Sequence, residues 1–229
     1  MRRRMLMITA LMLLMLLLST AAQAEVYESS MILVNKKWSL PKDYVPSDLT
    51  KVDIPFAEGV VESRKQMRAE AAEALEEMFA AALEDGIELI GVSGYRSYYH
   101  QKTIYERRLA EMGPEHVAKY NAKPGHSEHQ TGLAMDVGCP GCVDLEECFA
   151  ETDAYKWLRK NAHLYGFIIR YPKGGEKETG YAFEPWHVRY VGDEAAAIKE
   201  SGLTLEVYVE LKLKSIDFSA EIPRLYERK

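Results

Sequence analysis

Apolar positions change their spacing several times along this chain, and each change predicts an element. From Met5 to Leu18 they form a run broken only by Thr9; Arg2, Arg3 and Arg4 precede it, and Ala22-Gln23-Ala24 follow. A charged start, an apolar centre and a small-x-small end are the layout of a secretory leader. The run is short for a bilayer core of ~30 Å, which needs about 20 residues. Residues 1–24 are therefore expected to be a cleaved signal peptide rather than an anchor. Residues 25–58 show no period. Pro41, Pro46 and Pro55 punctuate them, predicting an extended segment that wraps the domain, held down by Trp38 and Tyr44. Over 60–85, Val60, Met67, Ala71, Leu75, Met78 and Ala82 recur at helical spacing and Gly86 ends the run, which predicts a helix.

Beyond Gly86 the elements shorten. Ile87–Val92 reads as a buried strand, 97–112 as a helix, and 113–132, with Pro114, Pro124, Gly125 and Gly132, as a loop. Leu133–Val137 is a short strand, 138–149 an excursion rich in Gly, Cys and acids, and Asp153–Leu164 a helix with Tyr155, Leu158 and Ala162 on one face. Gly166–Tyr171 and Trp186–Val191 read as strands around a polar loop at 173–180, and Asp193–Ser201 as the last clear helix. Crossovers are too few and too irregular for a doubly wound sheet. The expected fold is α+β, with helices on a small, mostly antiparallel sheet. Residues 59–205 are expected to form the one domain after the leader and the wrapping segment, and 206–229 a charged tail.

Composition narrows the function. With 229 residues, 47% hydrophobic and 28% charged, the chain is neither disordered, collagen-like nor a multi-span membrane protein. A net charge of −6, three units more negative once the leader is removed, argues against a general nucleic-acid binder. It does not exclude a small anionic ligand, because one arginine can hold a carboxylate locally. Cys139, Cys142 and Cys148 crowd one excursion. In an exported protein two of them can form a disulfide, and the odd number leaves one over. A zinc knuckle on Cys139-x-x-Cys142 lacks a fourth ligand nearby, so a loop clip or plain thiols are expected, with the pairing open.

Two stretches concentrate residues with chemistry, Ser127-Glu128-His129-Gln130-Thr131-Gly132-Leu133-Ala134-Met135-Asp136 and Glu184-Pro185-Trp186-His187. Together they offer two imidazoles, a carboxylate as third ligand and a spare carboxylate. A catalytic zinc takes three protein ligands and keeps one position open, with a base near the water there. His129 and Asp136 would face opposite sides of one continuous strand, but Gly132 permits a turn between them. Glu184 and His187 would also diverge in a regular strand, and Pro185 makes a regular central strand unexpected there. By spacing alone each pair is more often a surface contact or a hydrogen-bonded core histidine than a metal site, and the helical H-E-x-x-H signature is absent. His100, His116, His126 and His163 read as surface or hydrogen-bonded residues, with His126 the one near enough to line a site.

In order along the chain, SGYRS at 93–97, SEHQTGLAMD at 127–136 and EPWHVRYVG at 184–192 resemble the VanY-type zinc D-alanyl-D-alanine carboxypeptidases. Relatives of that family include D,D-dipeptidases and L,D-carboxypeptidases of peptidoglycan. The resemblance runs over roughly 33–205 and includes LVNKKWSLPKDYVP near its start. It implies that His129, Asp136 and His187 are zinc ligands, that Glu184 is the general base, and that Arg96 stabilises the carbonyl oxygen or a nearby carboxylate. It also implies that Gln101 and Ser127 contact the peptide end; for both, local backbone hydrogen bonding is the competing role. The implied activity is an exported Zn2+-dependent carboxypeptidase. It would remove the C-terminal D-alanine of peptidoglycan stem peptides through a metal-activated water. L,D-carboxypeptidase action on tetrapeptides, endopeptidase cleavage within the stem, and a non-catalytic wall-binding module are the alternatives. Intact ligands and base argue against the last. The excursion 138–149 is the stretch that fits the family pattern least and directly follows a ligand.

Overall fold

The computed structural model describes residues 29–215; the leader at 1–24 and the end of the segment read as a tail lie outside them. β1 (Leu49–Lys51) pairs with β2 (Gln66–Arg68). β3 (Ile90–Ser93), β4 (Ala134–Gly138), β5 (Phe167–Tyr171) and β6 (Glu184–Tyr190) form a second sheet in the order β3-β4-β6-β5, with every neighbour antiparallel. The helices are α1 (Ala69–Glu84), α2 (Tyr98–Tyr120), α3 (Asp153–Asn161), α4 (Glu176–Thr179), α5 (Glu194–Ser201) and α6 (Leu205–Ser215). This is an α+β fold, as the element pattern predicts. No helix of the described residues is long and apolar enough to cross a membrane.

Strand alternation gives the four-stranded sheet two different faces. Met135 and Val137 of β4, Phe167 and Ile169 of β5, and Val188 and Tyr190 of β6 turn to one side. There they pack with Leu75, Met78 and Ala82 of α1 and Trp157 and Leu158 of α3. The intervening residues, Asp136 of β4, Arg170 of β5, and His187 and Arg189 of β6, turn to the other side. They are also buried, none more than 3% exposed. A polar face that leaves water needs partners for every charge, and the wrapping segment supplies part of the cover. Arg189 Nη2 donates to the carbonyls of Ser30 and Ile32 at 2.8 and 2.7 Å. Further on, the same segment extends the β3 edge, where Gly91 N and Ala57 N donate to Pro55 O and Gly91 O. A Cβ at Gly91 would meet the Phe56 ring at 2.7 Å, so the close approach requires glycine. Trp38 and Tyr44 pack against the two apolar clusters, as expected.

Some elements differ from the sequence reading, each for a local reason. The helix expected over 60–85 starts only at Ala69. Before it lie a 3-10 turn, Glu62–Lys65, and β2, because 66–68 pair with β1 and bury Met67 completely. The helix expected to end at 112 resumes after a break at Gly113 (φ 81°) and continues to Tyr120. Pro114 follows that break, where a helix start tolerates its missing N–H, and Val117 behind it is fully buried. The loop at 173–180 contains the short α4, ended by Gly180 at φ 78°. The segment after 205 is helical as far as 215, with Leu205 buried and Tyr208 and Val209 packed on the cluster formed by Leu33, Ile168 and Ile198.

Candidate active site

The β4–β6 register places Asp136 directly opposite His187. Opposed residues of an antiparallel pair share a face, so a carboxylate and an imidazole 51 positions apart meet, with Asp136 Oδ1 3.0 Å from His187 Nδ1. His129 arrives separately. It sits in a 3-10 turn, Glu128–Thr131, that Gly132 ends in the left-handed region at φ 70°. That reversal brings His129 Nε2 to 3.2 Å from Asp136 Oδ2. The two rings meet edge to face with centroids 4.9 Å apart. One donor atom from each of His129, Asp136 and His187 lies within 4.8 Å of the others. Among the described residues no other set of three such groups converges in this way.

The chemistry of this donor set fits a zinc ion. A metal-binding imidazole uses one nitrogen for the metal and fixes the other through a hydrogen bond. His129 Nδ1 donates to the Gly94 carbonyl at 2.8 Å, which leaves Nε2 facing Asp136. His187 Nε2 donates to Glu128 Oε2 at 3.3 Å, which leaves Nδ1 facing Asp136. Burial lowers the His129 pKa to about 4, against the pull of Asp136, so its ring is neutral as a ligand must be. Burial would also lower His187, but its bonds to Asp136 and Glu128 overcome this and raise it. Asp136, in spite of burial, is held well below the usual carboxylate range by the two histidines.

Glu184 reaches the same place because β6 is irregular. Between the pairs Ile169–Val188 and Tyr171–Glu184, β5 advances two residues and β6 four. The extra length contains Pro185, which also lies beyond the last pairing with β4 at His187. The strand thus begins at Glu184 with the irregularity expected at Pro185, and no ladder bond is asked of the proline. Glu184 Oε2 stands 3.9 Å from His187 Nδ1. Burial raises its carboxyl to about 7, with His187 and Arg96 opposing and Asp136 assisting. A carboxyl tuned near neutrality suits proton transfer.

Arg96 lies beyond Asp136, with Nη2 3.8 Å from Oδ2. Its Nη1 donates to Gln101 Oε1 at 2.9 Å and its Nη2 to Ser93 Oγ at 3.0 Å, while buried Nε has no partner. Burial brings its pKa down to about 10, still cationic at neutral pH. Gln101, 2% exposed on α2, spends its other end on the Ala122 carbonyl at 2.7 Å. Its amide is thus engaged in holding Arg96. Ser127 precedes the His129 turn without a side-chain capping bond to it and lines the cavity. His126 does not line the site; its Nδ1 is 2.7 Å from the Asn35 carbonyl of the wrapping segment, which fixes it there. The cavity measures about 280 Å³ and is bordered by Arg96, Ser127, Glu184, Trp186 and both site histidines.

Sequence reasoning missed the support beneath His187. Glu128 Oε1 accepts from Arg170 Nε at 2.6 Å and Arg189 Nη1 at 2.7 Å, with all three side chains fully buried. Arg170 also holds Glu206 of α6 at 2.7 Å. Burial alone would protonate Glu128; the two guanidiniums keep it ionised, well below the ordinary range. A signal was present in the sequence: an arginine stands inside each of two strands rich in apolar residues, Arg170 in FIIRY and Arg189 in WHVRYV.

The family model described as VanY, D-alanyl-D-alanine carboxypeptidase, matches residues 64–193, more than half of the chain. The chain belongs to this family. A putative carboxypeptidase, YodJ, of Bacillus subtilis strain 168 is 48% identical over 191 residues, covering 82% of this chain and 70% of that protein. Among solved structures, the LdcB LD-carboxypeptidase superposes with a TM-score of 0.74 at 47% identity, covering 79% of this chain and 86% of the other. A VanY D,D-pentapeptidase mutant from a VanB-type resistance cassette, in complex with Zn(II), gives 0.63 at 33%, covering 79% and 98%. The VanY-family match spans the SGYRS, SEHQTGLAMD and EPWHVRYVG motifs in full, and so takes in His129, Asp136, Glu184, His187 and Arg96.

Proposed function

We propose that this VanY-family member is an exported, zinc-dependent carboxypeptidase that removes the terminal D-alanine of peptidoglycan stem peptides. The observation that carries the reading is the convergence of His129 Nε2, Asp136 and His187 Nδ1 beside the Glu184 carboxylate. His129, Asp136 and His187 would hold the zinc, which when bound acidifies a water and polarises a carbonyl. Glu184 Oε2 takes the proton of the attacking water and returns it to the departing amine. Arg96 is cationic and lines the cavity, so its guanidinium is placed to meet the scissile carbonyl oxygen or the terminal carboxylate. Gln101 and Ser93 hold that guanidinium in place. Ser127, unused as a cap, supplies a hydroxyl to the peptide end. Export agrees with the leader pattern at 1–24 and with a substrate outside the membrane.

A second reading, L,D-carboxypeptidase action on tetrapeptides, is favoured by the similarity to LdcB, which exceeds that to the VanY structure. Mass spectrometry of a stem pentapeptide and a tetrapeptide, incubated with zinc-loaded protein and with Glu184→Ala as control, decides between them. Loss of one alanine from the pentapeptide alone is the expected result. Loss from the tetrapeptide would assign L,D specificity, and two intact peptides would end the terminal-trimming reading. Glu184→Ala should retain zinc and lose about 100-fold or more in turnover, the usual contribution of a general base.

A further inference from the structure

The excursion between β4 and α3 carries three thiols and a backbone outlier, none of which has a part in the proposed hydrolysis. Cys139 and Cys142 exchange backbone hydrogen bonds of 3.0 and 2.9 Å, which anchors the start of the loop. The fit is tight, since a Cβ at the adjoining Gly138 would lie 2.5 Å from the Cys142 carbonyl oxygen. Six residues later the chain returns, and Cys148 Sγ lies 3.3 Å from Cys142 Sγ. Between them stands Leu145 at φ 56°, the one non-glycine residue with positive φ among those described. Leu145 borders the same cavity as Glu184 and His187. A leucine does not hold this conformation without constraint from its surroundings.

We propose that Cys142 and Cys148 form a disulfide that fixes Leu145 at the rim of the substrate cavity, leaving Cys139 as a thiol. The sulfurs are already in contact, and a small side-chain rotation brings them to a bond of about 2.05 Å. Cys148 is exposed and Cys142 half-buried, so both are open to exchange, whereas Cys139 is only 8% exposed beneath the loop. The oxidant is a disulfide compound. Cys148 thiolate attacks its S–S bond and expels one thiolate; Cys142 thiolate then attacks Cys148 Sγ and expels the second. Two protein thiols lose two electrons and two protons, and the oxidant is reduced to two thiols. A bridged loop presents Leu145 in one position, so ordering it is no longer charged to substrate binding. This last consequence rests on the proposed peptidase reading, while the bridge itself does not.

The test treats the zinc-loaded protein with glutathione disulfide, alkylates free thiols and maps the peptides without reduction. A single cross-link between Cys142 and Cys148, with Cys139 alkylated, is expected. Three alkylated cysteines, or a cross-link containing Cys139, would overturn the proposal whether or not any stem peptide is cleaved. On the peptide the protein cleaves, the C142S/C148S double variant should raise KM about 3–10-fold, with kcat and zinc content unchanged. C139S should leave all three as they are. An unchanged KM in the double variant would refute the role given to Leu145.

Discussion

At the scale of the residue, the site rests on one carboxylate outside the cluster of His129, Asp136 and His187. Glu128 accepts from His187 Nε2 and so decides which nitrogen of that ring faces Asp136. It remains an anion in a fully buried position only because Arg170 and Arg189 approach the same oxygen from two strands. Glu128→Gln keeps the volume but removes the charge, so both the ring orientation and the arginine pairing weaken. Zinc affinity should fall about 10–100-fold, the range found when the outer partner of a metal-bound histidine is changed. Competition against a chromophoric chelator measures this. Affinity equal to that of the unchanged protein would remove Glu128 from the site's support.

At the scale of the element, the closing end of β3 is where sheet and site are joined. Gly94 follows the strand and gives its carbonyl to His129 Nδ1, while its own N–H donates to Arg64 O at 2.7 Å. A Cβ there would lie 2.5 Å from the Gln66 carbonyl and 2.9 Å from that of Arg64, both backbone atoms with little room to yield. Gly94→Ala should therefore destabilise the protein by about 1–3 kcal/mol, as overpacking does. The midpoint of urea unfolding should drop with its slope unchanged. An unmoved midpoint would mean that β2 and β3 separate more freely than this packing implies. The β6 irregularity works on the same scale: two extra residues around Pro185 turn Glu184 toward the face that carries His187.

At the scale of the whole molecule, a chain of charges joins α6 to the cluster of His129, Asp136 and His187. Glu206 of α6 pairs with Arg170, Arg170 with Glu128, and Glu128 with His187. Asn35 of the wrapping segment donates to the same Glu206 at 3.0 Å, so both ends of the described chain meet there. Removing Glu206 leaves Arg170 with one anion in place of two. Breaking a fully buried pair costs about 3–5 kcal/mol. Glu206 is 14% exposed, so a smaller loss of about 2 kcal/mol is expected. In a domain of this size Glu206→Ala should then melt roughly 4–8 °C lower. Scanning calorimetry checks this, and an unchanged Tm would show that α6 adds nothing to the site's foundation.

The chain by itself determined the fold class, the run of most strands and helices, and the residues with the chemistry. Those are local properties: Met135, Val137, Val188 and Tyr190 alternate as strands must, Tyr155, Leu158 and Ala162 recur as a helix must, and the three motifs are contiguous. Spacing could not show that His129, Asp136 and His187 meet, because that depends on the β4–β6 register and the turn at Gly132, which involve pairing and close approach between distant segments. Nor could it assign Glu128, Arg170, Arg189 and Glu206. Four charges can enter an apolar interior only when they neutralise one another there, and tertiary structure alone brings residues 128, 170, 189 and 206 together. For the same reason 66–68 became a strand and 205–215 a helix that caps the domain: their partners, β1 and the cluster around Leu33, lie far away in sequence.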